Sequence, residues 1–219
     1  MSMKSETRSV QGFTEVALHG YGQLVVEQGS PERVVIEADE TLLARIASEV
    51  RGRRLVLGFR MPWYEWMTWW FSWLFLLDKT VRYTVTTPKV EGLFLMGSGT
   101  VRGTGLRGDS CRLSISGSGR VRVEGVDLGA IEAKISGSGR IECEGKAQRL
   151  EARITGSGSI EARKLDAAAA SVHISGSGDT AVRASDSLDV RITGSGGVRY
   201  AGSPRVTTRI SGSGRVRQE

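Results

Sequence analysis

Cysteine, histidine and proline are scarce in this chain of 219 residues, which holds two Cys, two His and four Pro. Cys111 and Cys143 form no CxxC pair, and His19 and His173 stand near neither of them. A zinc centre therefore has no ligand set, and no other metal or cofactor motif is present. Two cysteines are too few for a disulfide scaffold; they read as one buried small apolar residue and one loop thiol. Tryptophan is missing from all but one short segment. Residues 1–10 are polar and lack the apolar stretch of a secretory leader. The expectation is a cytoplasmic protein, peripheral at a membrane, or a periplasmic or cell-envelope one if a leader has been removed.

Glycine, by contrast, is abundant: 29 residues, nearly twice the usual ~7%. High glycine with little proline points to many tight, regular corners rather than to disorder. The net charge of +6 favours anionic partners without choosing among them.

The glycines are ordered. Gly-Ser-Gly begins at Gly97, Gly117, Gly137, Gly156, Gly176, Gly194 and Gly212, at spacings of 18 to 20 residues. A fixed turn signal at that period marks a solenoid. Two residues before each first glycine stand Leu95, Ile115, Ile135, Ile154, Ile174, Ile192 and Ile210. Four before stand Leu93, Leu113, Ala133, Ala152, Val172, Val190 and Thr208, and two after the second glycine stand Val101, Val121, Ile141, Ile160, Thr180, Val198 and Val216. Polar residues fill most places between, so period-2 strands flank every corner. Coils this short leave no room for a helix in each, and the Leu/Asn ladder of leucine-rich repeats is absent. The reading is all-β: a right-handed parallel β-helix of ~19-residue coils, forming one domain over 1–219. Strands are expected near 24–26, 34–38, 55–58 and 81–86. A short amphipathic helix is expected over 39–50, with Leu42, Leu43, Ile46 and Val50 on one face, capping the open end.

The Ile-Ser-Gly-Ser-Gly-Xaa-Val repeats, together with Gln11-Gly12-Phe13, Ile36-Glu37-Ala38-Asp39 and Thr86-Thr87-Pro88-Lys89-Val90, resemble the head GIN domain family of autotransporter adhesin heads. The resemblance covers about 8–59 and 80–219. It implies a parallel β-helix and a cell-envelope association, and no established activity.

Residues 60–79 depart from that resemblance, since the family has a short polar loop there. The stretch 61–77 reads MPWYEWMTWWFSWLFLL and contains all five tryptophans. As a helix, 63–77 would be about 22 Å long, short of a ~30 Å hydrocarbon core. A single crossing would also separate two strands of one solenoid. An interfacial helix or a dipping hairpin fits better, since Trp and Tyr favour the headgroup boundary. The lipid-contacting candidates are Trp63, Tyr64, Trp66, Trp69, Trp70, Phe71, Trp73, Leu74, Phe75 and Leu77. Arg60 and Lys79 flank them as headgroup anchors. So large an apolar insert invites burial, against the solenoid wall, against lipid, or against its own copies in a ring-like homo-oligomer.

Chemistry-bearing motifs are weak. The Gly-Xaa-Gly corners lack the Walker lysine and join strand to strand. Glu142, Glu144 and Glu161 are near in the predicted stack but read as a solvated strand face. The outer row Lys134, Arg153, His173, Arg191 and Arg209 runs beside Glu132, Glu151 and Asp189, which predicts a cross-coil charge ladder. With no aromatics among that row, no nucleic-acid partner is expected. The expected function is therefore non-enzymatic: a structural protein that contacts or sequesters membrane lipid. The alternative is a carbohydrate-binding, adhesin-like or polysaccharide-active β-helix.

Overall fold

The structure, a computed structural model, describes residues 3–59 and 81–219. Within them the chain runs β1 (Met3–Arg8), β2 (Glu15–Gly20), β3 (Gln23–Gln28), β4 (Arg33–Asp39), α1 (Glu40–Leu43), β5 (Ile46–Arg51), β6 (Arg54–Phe59), β7 (Arg82–Thr87), β8 (Gly92–Gly97) and β9 (Thr100–Thr104). There follow β10 (Arg107–Gly117), β11 (Arg120–Gly137), β12 (Arg140–Gly156), β13 (Ser159–Gly176), β14 (Asp179–Gly194), β15 (Gly197–Ala201), β16 (Arg205–Gly212) and β17 (Arg215–Gln218). All belong to one continuous sheet wound into a β-helix.

Strands β11 to β14 each fill one coil, from one Gly-Ser-Gly to the next, and pair in parallel with the coils on either side. The register places like over like: Ile135 pairs with Ile115 and Ile154, and Ile174 with Ile154 and Ile192. Each of these isoleucines is essentially sealed from solvent, a burial that contributes about 1.5–3 kcal/mol apiece. The buried cluster is continuous from Phe13 to Val198.

The corner explains the glycines. At Gly156 φ is +116°, and an added Cβ would stand 2.6 Å from the carbonyl oxygen of Gly137 in the neighbouring coil. That carbonyl accepts the Ser157 N–H at 3.0 Å. At Gly158 a Cβ would meet Gly139 O and Ile135 Cγ2, each at 2.7 Å. The first glycine is required by backbone angle and close approach, the second by close approach alone. The serine between them is exposed.

In the N-terminal part, chain order and stack order part company. β8 and β9 continue the regular stack onto β10 and β11. Next in space come β2 and β3, and beyond them β6 and β7, also parallel. Antiparallel strands close this end, β5 against β6, and β4 between β7 and β1. The expected strands near 24–26, 34–38, 55–58 and 81–86 are β3, β4, β6 and β7. The helix expected over 39–50 is corrected to the single turn α1, with Asp39 Oδ1 capping the Thr41 N–H at 3.1 Å and Leu42 and Leu43 buried. Ile46 and Val50, β-branched residues ahead of a Gly52 turn, instead form β5 by pairing with β6.

Candidate functional site

The segment singled out by sequence, with Arg60, Trp63, Tyr64, Trp66, Trp69, Trp70, Phe71, Trp73, Leu74, Phe75, Leu77 and Lys79, lies outside the described residues. Its two attachment points do not. Leu18 pairs with Leu57, and one residue further a Cβ on Gly58 would stand 3.0 Å from His19 Cβ. On the return side, the Val81 carbonyl accepts the Gln23 N–H at 2.8 Å, and Arg82 pairs with Gln23. β6 therefore ends and β7 begins beside the two ends of Gly20-Tyr21-Gly22, which joins β2 to β3. In the next coil Gly97-Ser98-Gly99 does the same.

The surroundings of that corner are aromatic. Phe59 stacks on Tyr21, with ring centroids 5.0 Å apart and planes 19° apart, an offset geometry that aromatic quadrupoles favour. Tyr83 is fully buried, and neither its hydroxyl nor that of Tyr21 has a hydrogen-bond partner among the described residues. Burial pushes both phenols above their ordinary pKa, so each stays neutral. Met96, on the strand beside β2, is 52% exposed. It is a large apolar side chain left open next to the corner.

Elsewhere the outer faces are charged. Glu142, Glu144 and Glu161 line one shallow cleft of about 290 Å³. Each has a cation near it: Arg122 at 3.5 Å from Glu142, Lys164 at 3.4 Å from Glu144 and Arg163 at 3.8 Å from Glu161. In the basic row the ladder differs from expectation. Arg153 reaches Glu151 at 2.9 Å and Arg191 reaches Asp189 at 3.3 Å, both along one strand rather than across coils. Residues two apart on a strand share a face, and the long guanidinium reaches its own strand as readily as the next. Arg112 to Glu132, at 3.0 Å, does cross coils.

A second corner carries a cleft of about 640 Å³ with a floor of Leu128, Ala147, Ala167 and Ala184. Along its rim Asp127, Lys146, Asp166 and Arg183 follow one another in register. Both thiols are buried, which corrects the reading of one as a loop residue, and burial pushes each up to about 12. Cys111 and Cys143 occupy inward columns where other coils carry Ile131 and Val123. Among the described residues no group of His, Cys, Asp and Glu converges for a metal, and no helix is long and apolar enough to cross a membrane.

Comparison with known proteins agrees with this geometry. One family matches over residues 12–204, under the description "Putative auto-transporter adhesin, head GIN domain". Among solved structures, a "putative adhesin" from Bacteroides fragilis is 22% identical, covering 100% of this chain and 97% of its own, with a TM-score of 0.86. A "putative lipid binding protein" from Parabacteroides distasonis is 21% identical, covering 99% and 96%, at 0.78. A "putative adhesin" from the same organism is 23% identical, covering 100% and 97%, at 0.73. At these identities the likeness is one of fold. A search of curated proteins finds no match.

Proposed function

The chain belongs to the head GIN domain family, and on that footing we propose that it is a non-enzymatic, homo-oligomeric structural protein that contacts membrane lipid through residues 60–79. One observation carries the reading. Gly58 lies against His19 and Val81 against Gln23, so the strands on either side of the insert end beside one and the same corner, Gly20-Tyr21-Gly22. Both ends lie on one side of any bilayer it meets. The segment enters an interface and comes back, and cannot span once. Its tryptophans suit the headgroup boundary, while Met96, Tyr21 and Phe59 extend the apolar surface at its root. Several copies gathered in a ring would pool their inserts into one patch, peripheral at the membrane.

The test is flotation with phosphatidylcholine vesicles of the wild-type chain beside a variant with residues 62–77 replaced by a Gly/Ser loop. Wild type is expected to float and the variant to sediment; equal flotation of the two removes the membrane role. Native mass with and without lipid reads the oligomer.

A second reading, glycan binding, is favoured by the 640 Å³ cleft, whose rim alternates Asp127, Lys146, Asp166 and Arg183 across four coils. Donors and acceptors repeating at the ~4.8 Å strand spacing suit a linear, hydroxyl-rich chain. Glycan-array binding that persists after loop replacement and is lost in Lys146→Ala would establish it.

A further inference from the structure

We propose that His19, Arg51 and Arg54, on the outer face beside the root of the insert, form an oxyanion site for the phosphate of a phospholipid head group. The inference rests on the membrane reading above and adds to it a described, polar half.

The site follows from a turn. β5 and β6 are joined through Gly52 and Arg53. Gly52 has φ +62°, the positive value needed at the first central position of a type II′ hairpin turn. The turn sets Arg51 directly opposite Arg54, with Arg53 at the tip. Like charges directly opposite on paired strands are destabilising, and in the hairpin itself Glu49, on the strand of Arg51, offsets that arginine. β6 then pairs with β2, which brings Glu15 beside Arg54 and His19 beside Gly58. Because residue 58 is a glycine, no side chain fills the space next to His19.

The result is a groove of about 410 Å³ with His19, Arg51, Arg53, Arg54 and the carboxylate of Glu15 on its walls and Val56 and Met96 as its apolar lining. A second hollow of about 260 Å³, lined by His19, Ala47, Glu49, Arg51, Val56 and Gly58, reaches Phe59, the last described residue before the insert. The arginine-lined groove thus continues past His19, Arg51 and Glu49 to the apolar side chains of Val56 and Phe59, toward the proposed membrane contact. That is the polarity of a lipid phosphate followed by its glycerol and acyl chains.

The carboxylates present are already shared. Glu15 accepts from Arg54 at 2.8 Å and lies 3.7 Å from Arg112. Glu91 lies 3.2 Å from Arg53 and 2.7 Å from Lys89. Arg51 reaches Glu49 at 2.9 Å, with 72% of its side chain still exposed. The field that remains is positive at His19, whose pKa is lowered by partial burial and by Arg51 and Arg54. Arg54 is held in place by the Phe94 ring, 3.8 Å beneath its guanidinium, and by Glu15, which leaves Arg51 as the more exposed arm of a two-arginine clamp. Guanidinium groups bind phosphate oxygens in paired, charge-assisted hydrogen bonds, which a lysine does not reproduce.

The experiment uses the full chain, the variant with 62–77 replaced, and Arg51→Gln and Arg51→Lys in both. Ring resonances of His19, assigned against a His173→Gln chain, are followed during titration with glycerophosphoglycerol and, separately, with inorganic phosphate. The expected result is a saturable shift with the phosphodiester in both parent chains. It weakens at least about tenfold in Arg51→Gln, the loss of one charge-assisted hydrogen bond, and in part in Arg51→Lys. Flotation of the full chain on phosphatidylglycerol vesicles should fall in the same order.

No shift of His19, or a shift unchanged in Arg51→Gln, overturns the site. Tighter binding of inorganic phosphate than of the diester assigns it to free phosphate and overturns the head-group reading. A shift that persists while loop replacement leaves flotation unaltered separates the two ideas: the insert fails as a membrane contact and the anion site stands.

Discussion

From β11 to β14 every coil stacks on the coil that precedes it in sequence, whereas β2 and β3 stack between β6 and β7 on one side and β8 and β9 on the other. The first region is a repeat whose neighbours are always the next residues along the chain. The second is assembled from segments far apart in sequence, and it holds the antiparallel strands, the helical turn, the arginine hairpin and the two strands to which the insert is attached. A repeating stack of glycines, isoleucines and valines tolerates little at each position because each side chain is also the floor of the next coil. The last parallel strands, β6 and β7, are closed by antiparallel strands rather than by another coil, and it is to them that the long segment is attached.

The corner glycines give the largest contrast. Gly156→Ala must hold a Cβ at φ +116° and 2.6 Å from Gly137 O. The expected loss exceeds about 4 kcal/mol, in the range reserved for core disruption. Gly20→Ala, at φ +97° with nothing among the described residues within 4 Å of its added Cβ, is expected to carry the backbone penalty of about 1–2 kcal/mol. Urea midpoints of the two variants measure the difference. Equal losses would mean that the stacking contact contributes nothing, and the distinction between regular coils and end coils would lose its physical basis.

Side-chain truncation sharpens the same contrast at smaller magnitude. Ile154 lies between Ile135 and Ile174 and is fully buried. Leu57 is as buried but pairs with Leu18 on its parallel side and with Ser48 on the other. Both fall in the about 2–5 kcal/mol range for removal of a large aliphatic group. Ile154→Ala should lie near its top, because coils on both sides fix the cavity walls. Leu57→Ala should lie near its bottom, because the end hairpin can settle inward. The reverse order in thermal unfolding would make the end of the stack the more rigid part.

These contrasts also mark what was legible in the sequence. The regular coils were, because period-2 alternation and the Gly-Ser-Gly spacing are local signals that each coil repeats. Even the need for two glycines follows from stacking. The order of the N-terminal strands was not, since Glu15 pairing with Gly92 and with Arg54 is decided by three-dimensional closure. The helix expected over 39–50 failed for a related reason: Leu42, Leu43, Ile46 and Val50 fit a 3.6-residue period, but pairing with β6 claimed the last two. The composition of the insert was plain from its tryptophans. The nearness of its two attachment points needed the Leu18–Leu57 and Gln23–Arg82 registers. The cluster of His19, Arg51 and Arg54 left no sequence signal beyond the Arg51-Gly52-Arg53-Arg54 run, whose turn potential could have been read from its glycine.

The smallest expected effect has the opposite sign and lies inside the regular region. Thr180 sits in the inward column between Ile160 and Val198, 1% exposed, and its Oγ1 has no hydrogen-bond partner among the described residues. A buried hydroxyl without a partner costs about 1–3 kcal/mol relative to an apolar group of the same shape. Valine has that shape and already fills the column at Val101, Val121 and Val198. Thr180→Val is therefore expected to stabilise the chain by about 1 kcal/mol, raising Tm by about 2–4 °C for a protein of this size. A lower Tm would show that the hydroxyl is satisfied by an internal water held between coils. The regular stack would then be wet at one rung, and its tolerance of polar residues greater than its Ile/Val columns imply.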